Sequence, residues 1–214
     1  MKNLFLILVL SFTMSCNGNS STTQTVNKLS DQNFSTLDTA TFAGGCFWCI
    51  EASFEQINGV TEAVSGYAGG AQSNAKYDLV SSGRTKHAET VQIYFNPEVI
   101  DYGTLLDIFF TAHDPTQLNR QGPDVGPQYR SAIFYHNQEQ KDLAEEKIAD
   151  LQARFSFRIV TELTPYTIFY EAEAYHQDYE KNHPFNPYIM NVSRPKIDKV
   201  KKQFSDRLKK EIRD

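Results

Sequence analysis

Cysteine is scarce in this chain: only Cys16, Cys46 and Cys49 occur among 214 residues. Three cysteines cannot build a disulfide framework, and none forms a paired zinc spacing with the five histidines. Positive charge is also short, with 21 Lys and Arg against 26 Asp and Glu, a net charge of −5. That balance speaks against a nucleic-acid partner. Residues 194–214 are the exception, with nine Lys/Arg against four Asp/Glu, which leaves the remainder at −10. Disorder over the whole chain is excluded by an ordinary charged fraction of 22%. With 40% hydrophobic and 13% aromatic residues, the chain can bury the core of one domain plus appendages.

The first fifteen residues differ from the rest. Lys2 precedes an unbroken apolar run, Leu4 to Leu10, and Ser11 to Ser15 follow with small and polar residues. This is the layout of an export signal, and the run is too short for a permanent membrane-spanning helix. Met14-Ser15-Cys16 resembles the cleavage box of bacterial lipoproteins, although Thr13 stands where that pattern has an apolar residue. The expectation is a lipid anchor on Cys16, facing the periplasm or cell exterior, with an ordinary secretory signal as the alternative. Residues 16–37 then read as a polar tether without apolar periodicity.

From residue 38 the chain reads as folded. Residues 38–43 predict a strand ending at Gly44-Gly45, and Phe47, Ile50, Phe54 and Ile57 recur at helical spacing up to Gly59. Strands are expected at 60–67, at 91–95 and at 131–135, with a helix over 102–113. A long charged helix is expected over 138–155 and two short β runs within 158–170. Residues 171–193 read as irregular coil, and Ile197, Val200, Phe204, Leu208 and Ile212 as one closing amphipathic helix. Its basic face predicts a solvated docking helix, with a membrane-surface role as the lesser option. The first six elements run β-α-β-β-α-β, which predicts an α/β two-layer split βαβ (ferredoxin-like) sandwich with added helix, strands and coil.

The chemistry concentrates at Gly44-Gly45-Cys46-Phe47-Trp48-Cys49. A cysteine that opens a helix is exposed to first-turn N–H groups and the positive end of the helix dipole, which favour thiolate. Two cysteines three apart at a helix start can close a redox disulfide. The bland alternative is a pair of inert core cysteines.

This run resembles the active-site motif of the A-type peptide methionine sulfoxide reductases. The resemblance continues through Ser65-Gly66-Tyr67-Ala68-Gly69-Gly70, Lys86-His87-Ala88-Glu89, Ala112-His113-Asp114-Pro115 and the run from Arg120 to Ser131. Ala174-Tyr175-His176-Gln177-Asp178-Tyr179 and Pro195-Lys196-Ile197 also fit, so about residues 39–204 are covered.

The resemblance implies reduction of the S epimer of methionine sulfoxide, free or in proteins, without metal or flavin. It implies that Cys46 is the nucleophile and that Glu89 is the acid that protonates the sulfoxide oxygen. Tyr77 and Tyr129 would complete the oxygen pocket, Asp124 would bind substrate or orient the pocket, and Phe47 and Trp48 would form a cup for the S-methyl group. Read without the resemblance, Glu89 is a solvated strand residue, Asp124 a turn former, and the aromatics are packing residues. Some members place a resolving cysteine near the C-terminus; one such position falls at Pro187-Tyr188-Ile189, where this chain has isoleucine. With Cys16 lipidated, Cys49 is left to form a Cys46–Cys49 disulfide, recycled by a thioredoxin-like reductant. Two rival readings are a general thiol–disulfide oxidoreductase, which needs alternating strands and crossover helices, and a surface lipoprotein whose cysteines are structural.

Overall fold

The computed structural model describes residues 36–213, so the expected export signal, Cys16 and most of the expected tether lie outside the described residues. The elements are β1 (Asp38–Gly44), α1 (Phe47–Glu55), β2 (Val60–Ala68), α2 (Tyr77–Ser81), β3 (Ala88–Phe95) and α3 (Tyr102–Ala112). There follow a small hairpin, β4 (Arg120–Gln121) and β5 (Asp124–Val125), then β6 (Ser131–Tyr135), α4 (Gln138–Gln152), β7 (Glu162–Pro165) and β8 (Phe169–Glu171). Short α5 (Tyr179–Asn182), α6 (Arg194–Gln203) and α7 (Lys210–Arg213) close the chain.

The main sheet runs β7-β6-β1-β3-β2-β8. Its centre, β6-β1-β3-β2, is antiparallel throughout and is the expected split βαβ order. The two expected β runs exist but part company: β7 joins β6 in parallel at one edge, and β8 joins β2 at the other. The antiparallel centre of this sheet differs from the regular alternation of strands and crossover helices that a general thiol–disulfide oxidoreductase would need.

Alternation along the strands divides the sheet into two faces. Phe42 faces the helices, where its ring stacks on Phe109 of α3 at 4.8 Å, among buried Phe47, Ile50, Phe54, Leu105 and Leu106. Each such side chain contributes about 1.5–3 kcal/mol on burial. Its neighbour Ala43 faces the opposite side, with Ala68, Ala88, Ala132 and Phe134 under Tyr166. Two helices on the first face, α3 and α4, begin at side-chain caps: Asp101 accepts from the Thr104 N–H (2.7 Å) and Asn137 from the Gln140 N–H (2.8 Å).

Three expectations need correction. The charged helix ends at Gln152 rather than Phe155, because Leu151 is the last of its apolar residues to reach the core. The closing helix is broken after Gln203: Phe204 leaves helical geometry, Leu208 makes a bridge to Ile57, and the Lys209 N–H donates to the Gln56 carbonyl (2.9 Å). Leu208 therefore reaches the core through strand-like pairing, not through helical periodicity. The segment 171–193 is not uniform coil either; it holds a 3₁₀ turn at Ala174–His176, α5, and a π-helical turn at Ile189–Ser193.

Candidate active site

The strand-to-helix turn after β1 sets the site. Gly45 has φ +95°, and a Cβ there would lie 2.6 Å from Gln121 Cβ and Cγ, so glycine is needed both for the turn and for the approach of β4. Cys46 occupies the N-cap of α1 with no side-chain cap hydrogen bond. The first-turn N–H of Phe47 is instead directed to Glu89 Oε2 at 3.1 Å, across 42 residues of sequence. Glu89 sits on β3 opposite Tyr67 of β2, and only 2% of it is exposed. The solvated-strand reading of Glu89 therefore fails.

Burial dominates the electrostatics of this carboxyl group. It pushes Glu89 up to about 8, against the Phe47 N–H that favours the anion and with Asp124 and Cys49 adding to the rise. At neutral pH the group is therefore protonated and can donate a hydrogen.

The cysteines depart from expectation. Neither is exposed: Cys46 is 6% accessible and Cys49 is fully buried. Burial raises the Cys46 thiol well above its ordinary value, and the hydrogen bond to Cys49 and the nearby Glu89 raise it further. The thiolate expected at Cys46 from the helix start is thus not its resting state, because burial outweighs the pull of the helix start. Cys49 is lowered to about 7, first by the hydrogen bond from Cys46, with Lys196 and Ser193 adding and burial opposing. Cys49 Sγ lies 3.1 Å from Ser193 Oγ, in the π-helical turn before α6. Both cysteines are free thiols in contact with one another.

Around them the aromatic residues form a wall. Trp48 is half-buried, stacks on Tyr179 at 3.8 Å and meets Tyr188 edge-on at 5.9 Å. Its indole N–H donates to His176 Nδ1 (3.2 Å), which leaves the proton of the neutral imidazole on Nε2. Burial lowers His176, consistent with that neutral form. Phe47 is 1% exposed and packs against both Trp48 and His176, so it serves the core and the wall together.

Tyr77 opens α2, with its N–H on Glu173 Oε1 (3.0 Å), and its ring lies 4.3 Å from His176. Tyr129 closes the 3₁₀ turn before β6. Burial, followed by the charges of Glu89 and Cys46, raises Tyr77 to about 12 and raises Tyr129 as well. Both phenols therefore stay protonated, facing the same two groups.

Asp124, on β5, accepts a 2.5 Å hydrogen bond from the Tyr188 hydroxyl. Tyr188 also lies beside the Cys46 sulfur, where it acts against the rise in the thiol. Cys46, Cys49, Glu89, Tyr77, Tyr129, Phe47, Trp48 and Asp124 thus lie around one site, with Asp124 reaching Cys46 through Tyr188.

Several residues escaped the sequence reading. Tyr188 was visible only as the neighbour of an isoleucine, and Ser193 carried no motif at all. Glu51, on the same helix as Cys49, accepts from Ser65 Oγ (2.6 Å) and from the Asp178 N–H (2.7 Å), and so ties the 174–182 segment down. Among the described residues, no cluster of His, Cys, Asp and Glu is fit to hold a metal ion. The arrangement pairs a soft nucleophile with a neutral acid and neutral hydroxyls, beside a rigid apolar wall. That suits a polarised oxygen attached to a poorly solvated centre.

Comparison with known proteins agrees with this chemistry. The family profile described as peptide methionine sulfoxide reductase matches residues 38–208. The "Peptide methionine sulfoxide reductase MsrA" of Pasteurella multocida is 53% identical over 167 residues, covering 78% of this chain and 96% of that protein. The protein of the same name from Saccharolobus solfataricus is 49% identical over 173 residues, covering 81% and 98%. Among solved structures, reduced Mxr1 from Saccharomyces cerevisiae is similar with a TM-score of 0.67 at 35% identity, over 71% of this chain and 88% of that one.

Proposed function

The chain belongs to the peptide methionine sulfoxide reductase family, and from that premise we propose how its residues carry out the reaction. The activity is reduction of peptide-methionine (S)-S-oxide to methionine. The observation that carries the mechanism is Glu89: a buried, protonated carboxyl group held by the backbone N–H next to Cys46.

In the first step Cys46 Sγ attacks the sulfoxide sulfur. Glu89 donates a proton to the departing oxygen, and the Cys46 thiol proton replaces it on the carboxyl group. Tyr77 and Tyr129 donate hydrogen bonds to the same oxygen, and these strengthen as negative charge develops. The oxygen passes to Cys46 as a sulfenic acid, and the substrate leaves as the sulfide. Phe47 and Trp48 receive the S-methyl group, with Trp48 fixed by His176 on one side and Tyr179 on the other. Asp124 acts through Tyr188, whose hydroxyl proton it accepts, and so fixes that ring beside Cys46.

In the second step Cys49 attacks the Cys46 sulfenic acid, forming a disulfide and releasing water. A thioredoxin-like dithiol then reduces the disulfide by exchange. The contact between the two sulfurs and the absence of cysteine at Ile189 support Cys49 as the resolving thiol.

An epimer-resolved assay tests the reading. With dithiothreitol, the wild-type protein should consume the S epimer and leave the R epimer. Cys46→Ser should lose all reduction. Cys49→Ser should complete a single turnover yet fail to recycle with thioredoxin. A stable sulfenic acid in the wild type, with Cys49 still free by mass spectrometry, would reject the disulfide step.

We also propose that Cys16 is lipidated and that the enzyme works outside the cytoplasm, tethered to a membrane. The apolar run Leu4 to Leu10 and the polar stretch after Cys16 support this. A Cys16→Ser variant should leave the membrane fraction; wild-type protein already free of membranes would refute it.

A further inference from the structure

Lys196 has no role in the steps above, yet its placement is unusual. It stands in the first turn of α6, three residues after Ser193, whose hydroxyl contacts Cys49 Sγ. Its Nζ atom is buried and has no hydrogen-bond partner among the described residues. A buried ammonium group without an anion is costly. Such a group is best explained by an anion that forms beside it during the work of the protein.

The groups facing it narrow the choice. On one side is His113, at the end of α3, which burial lowers to about 4 and which is therefore neutral at pH 7. On the other is Cys49, which also faces Cys46, Glu89, Asp124, Tyr188 and Ser193. Glu89 is protonated and Asp124 is engaged by Tyr188. Cys49 is the member of this group that must become an anion twice in the proposed cycle.

We propose that Lys196 is a positioning residue for the second half of the cycle, holding Cys49 as thiolate when it attacks and again when it departs. This rests on the reading of Cys49 as the resolving thiol. In the attack, Cys49 S⁻ forms the S–S bond, the Cys46 S–O bond breaks, and the leaving hydroxide takes a proton from Glu89 to become water. In recycling, a thiolate of the external dithiol attacks Cys46, which is 6% exposed, whereas Cys49 is fully buried. Cys49 then leaves with the bonding electron pair beside the Lys196 ammonium group. The second thiol of the reductant resolves the mixed disulfide and frees Cys46. A lower leaving-group pKa speeds exchange, so one cation assists both events.

The test compares wild type, Lys196→Met and Lys196→Arg in reaction with a methionine sulfoxide peptide. Without reductant, the methionine burst reports the first step, and acid-quenched thiol counting reports disulfide closure. Lys196→Met is expected to keep a stoichiometric burst while disulfide closure at pH 7 slows about fivefold, the effect of one pKa unit on the thiolate fraction of a thiol near 7. The inflection of its rate against pH should move upward, and Lys196→Arg should restore both rate and inflection. Closure with wild-type rate and pH profile in Lys196→Met would overturn the proposal. So would loss of the burst together with closure, since Lys196 would then serve the whole site. A wild-type protein that gives a burst but closes no Cys46–Cys49 disulfide would reject the resolving role of Cys49 instead.

Discussion

At the scale of single residues, Glu89 decides whether the site is an acid or an anion hole. Its protonated state at neutral pH follows from burial outweighing one backbone N–H. Activity should therefore fall as pH rises through about 8, where the carboxyl group loses its proton. Glu89→Gln keeps the hydrogen-bond geometry but cannot give up a proton. It should lower kcat/KM by roughly 10²–10⁴, the usual contribution of a positioned acid, and abolish that alkaline limb. A pH–rate profile of both proteins checks this, and a Gln variant with the same limb would move the acid elsewhere. Residue placement was legible in the sequence where local pattern fixed it, as with Cys46 at a helix start and Glu89 on a strand. Tyr188 was not legible, because its value lies in a hydroxyl directed at Asp124, 64 positions away in the chain. The resting thiolate expected at Cys46 failed for a similar reason, since the burial that raises its thiol comes from residues distant in the chain.

At the scale of elements, the site depends on how β1, α1 and the β4–β5 hairpin meet. Gln121 of β4 is 3% exposed and clamped to Asp114, accepting from its N–H at 3.1 Å and donating to its carbonyl at 3.0 Å. It pairs with Asp124 of β5, which in turn holds Tyr188. A methyl group at position 45 would press on Gln121 Cβ and Cγ, which cannot swing aside like the end of a flexible chain. Gly45→Ala should therefore cost about 1–3 kcal/mol in strained backbone alone. It should also lower kcat/KM more than the loss of folded protein explains, by shifting Asp124 and Tyr188. Thermal melts beside kinetics at a temperature where the variant is fully folded separate the two effects; equal kcat/KM there would deny the link. Elements with strong periodicity were readable, and β6 runs from Ser131 to Tyr135 as expected. The hairpin β4–β5 and the π-helical turn at Ile189–Ser193 were not readable, because side-chain clamps rather than apolar spacing hold them. The closing helix misled because its fourth and fifth apolar positions, Leu208 and Ile212, follow a break at Phe204.

At the scale of the whole molecule, placing two glutamates inside the fold sets its response to pH. Burial raises Glu51 to about 7 and Glu89 to about 8, from ordinary values near 4.5. A carboxyl group raised in the folded state binds its proton more tightly there than in the unfolded chain. Its contribution is fully present below pH 4.5 and is lost as pH climbs toward the folded value. Other groups act in the opposite direction: His113, lowered to about 4, loses stability as pH falls below 6.5, and Cys49, lowered to about 7, gains it above pH 7. The absolute melting curve therefore mixes several protons, but a difference between two proteins that share all but one removes the rest. Glu89→Gln has no proton to lose at this position. Its melting temperature relative to wild type should rise steadily between pH 5 and pH 8 and level off beyond, with Glu51→Gln levelling off about one unit earlier. A difference that stays flat over this range would mean that Glu89 is ionised in the folded protein. The acid assigned to the reaction would then have to be another group, so a melting series with no substrate present bears directly on the catalytic assignment.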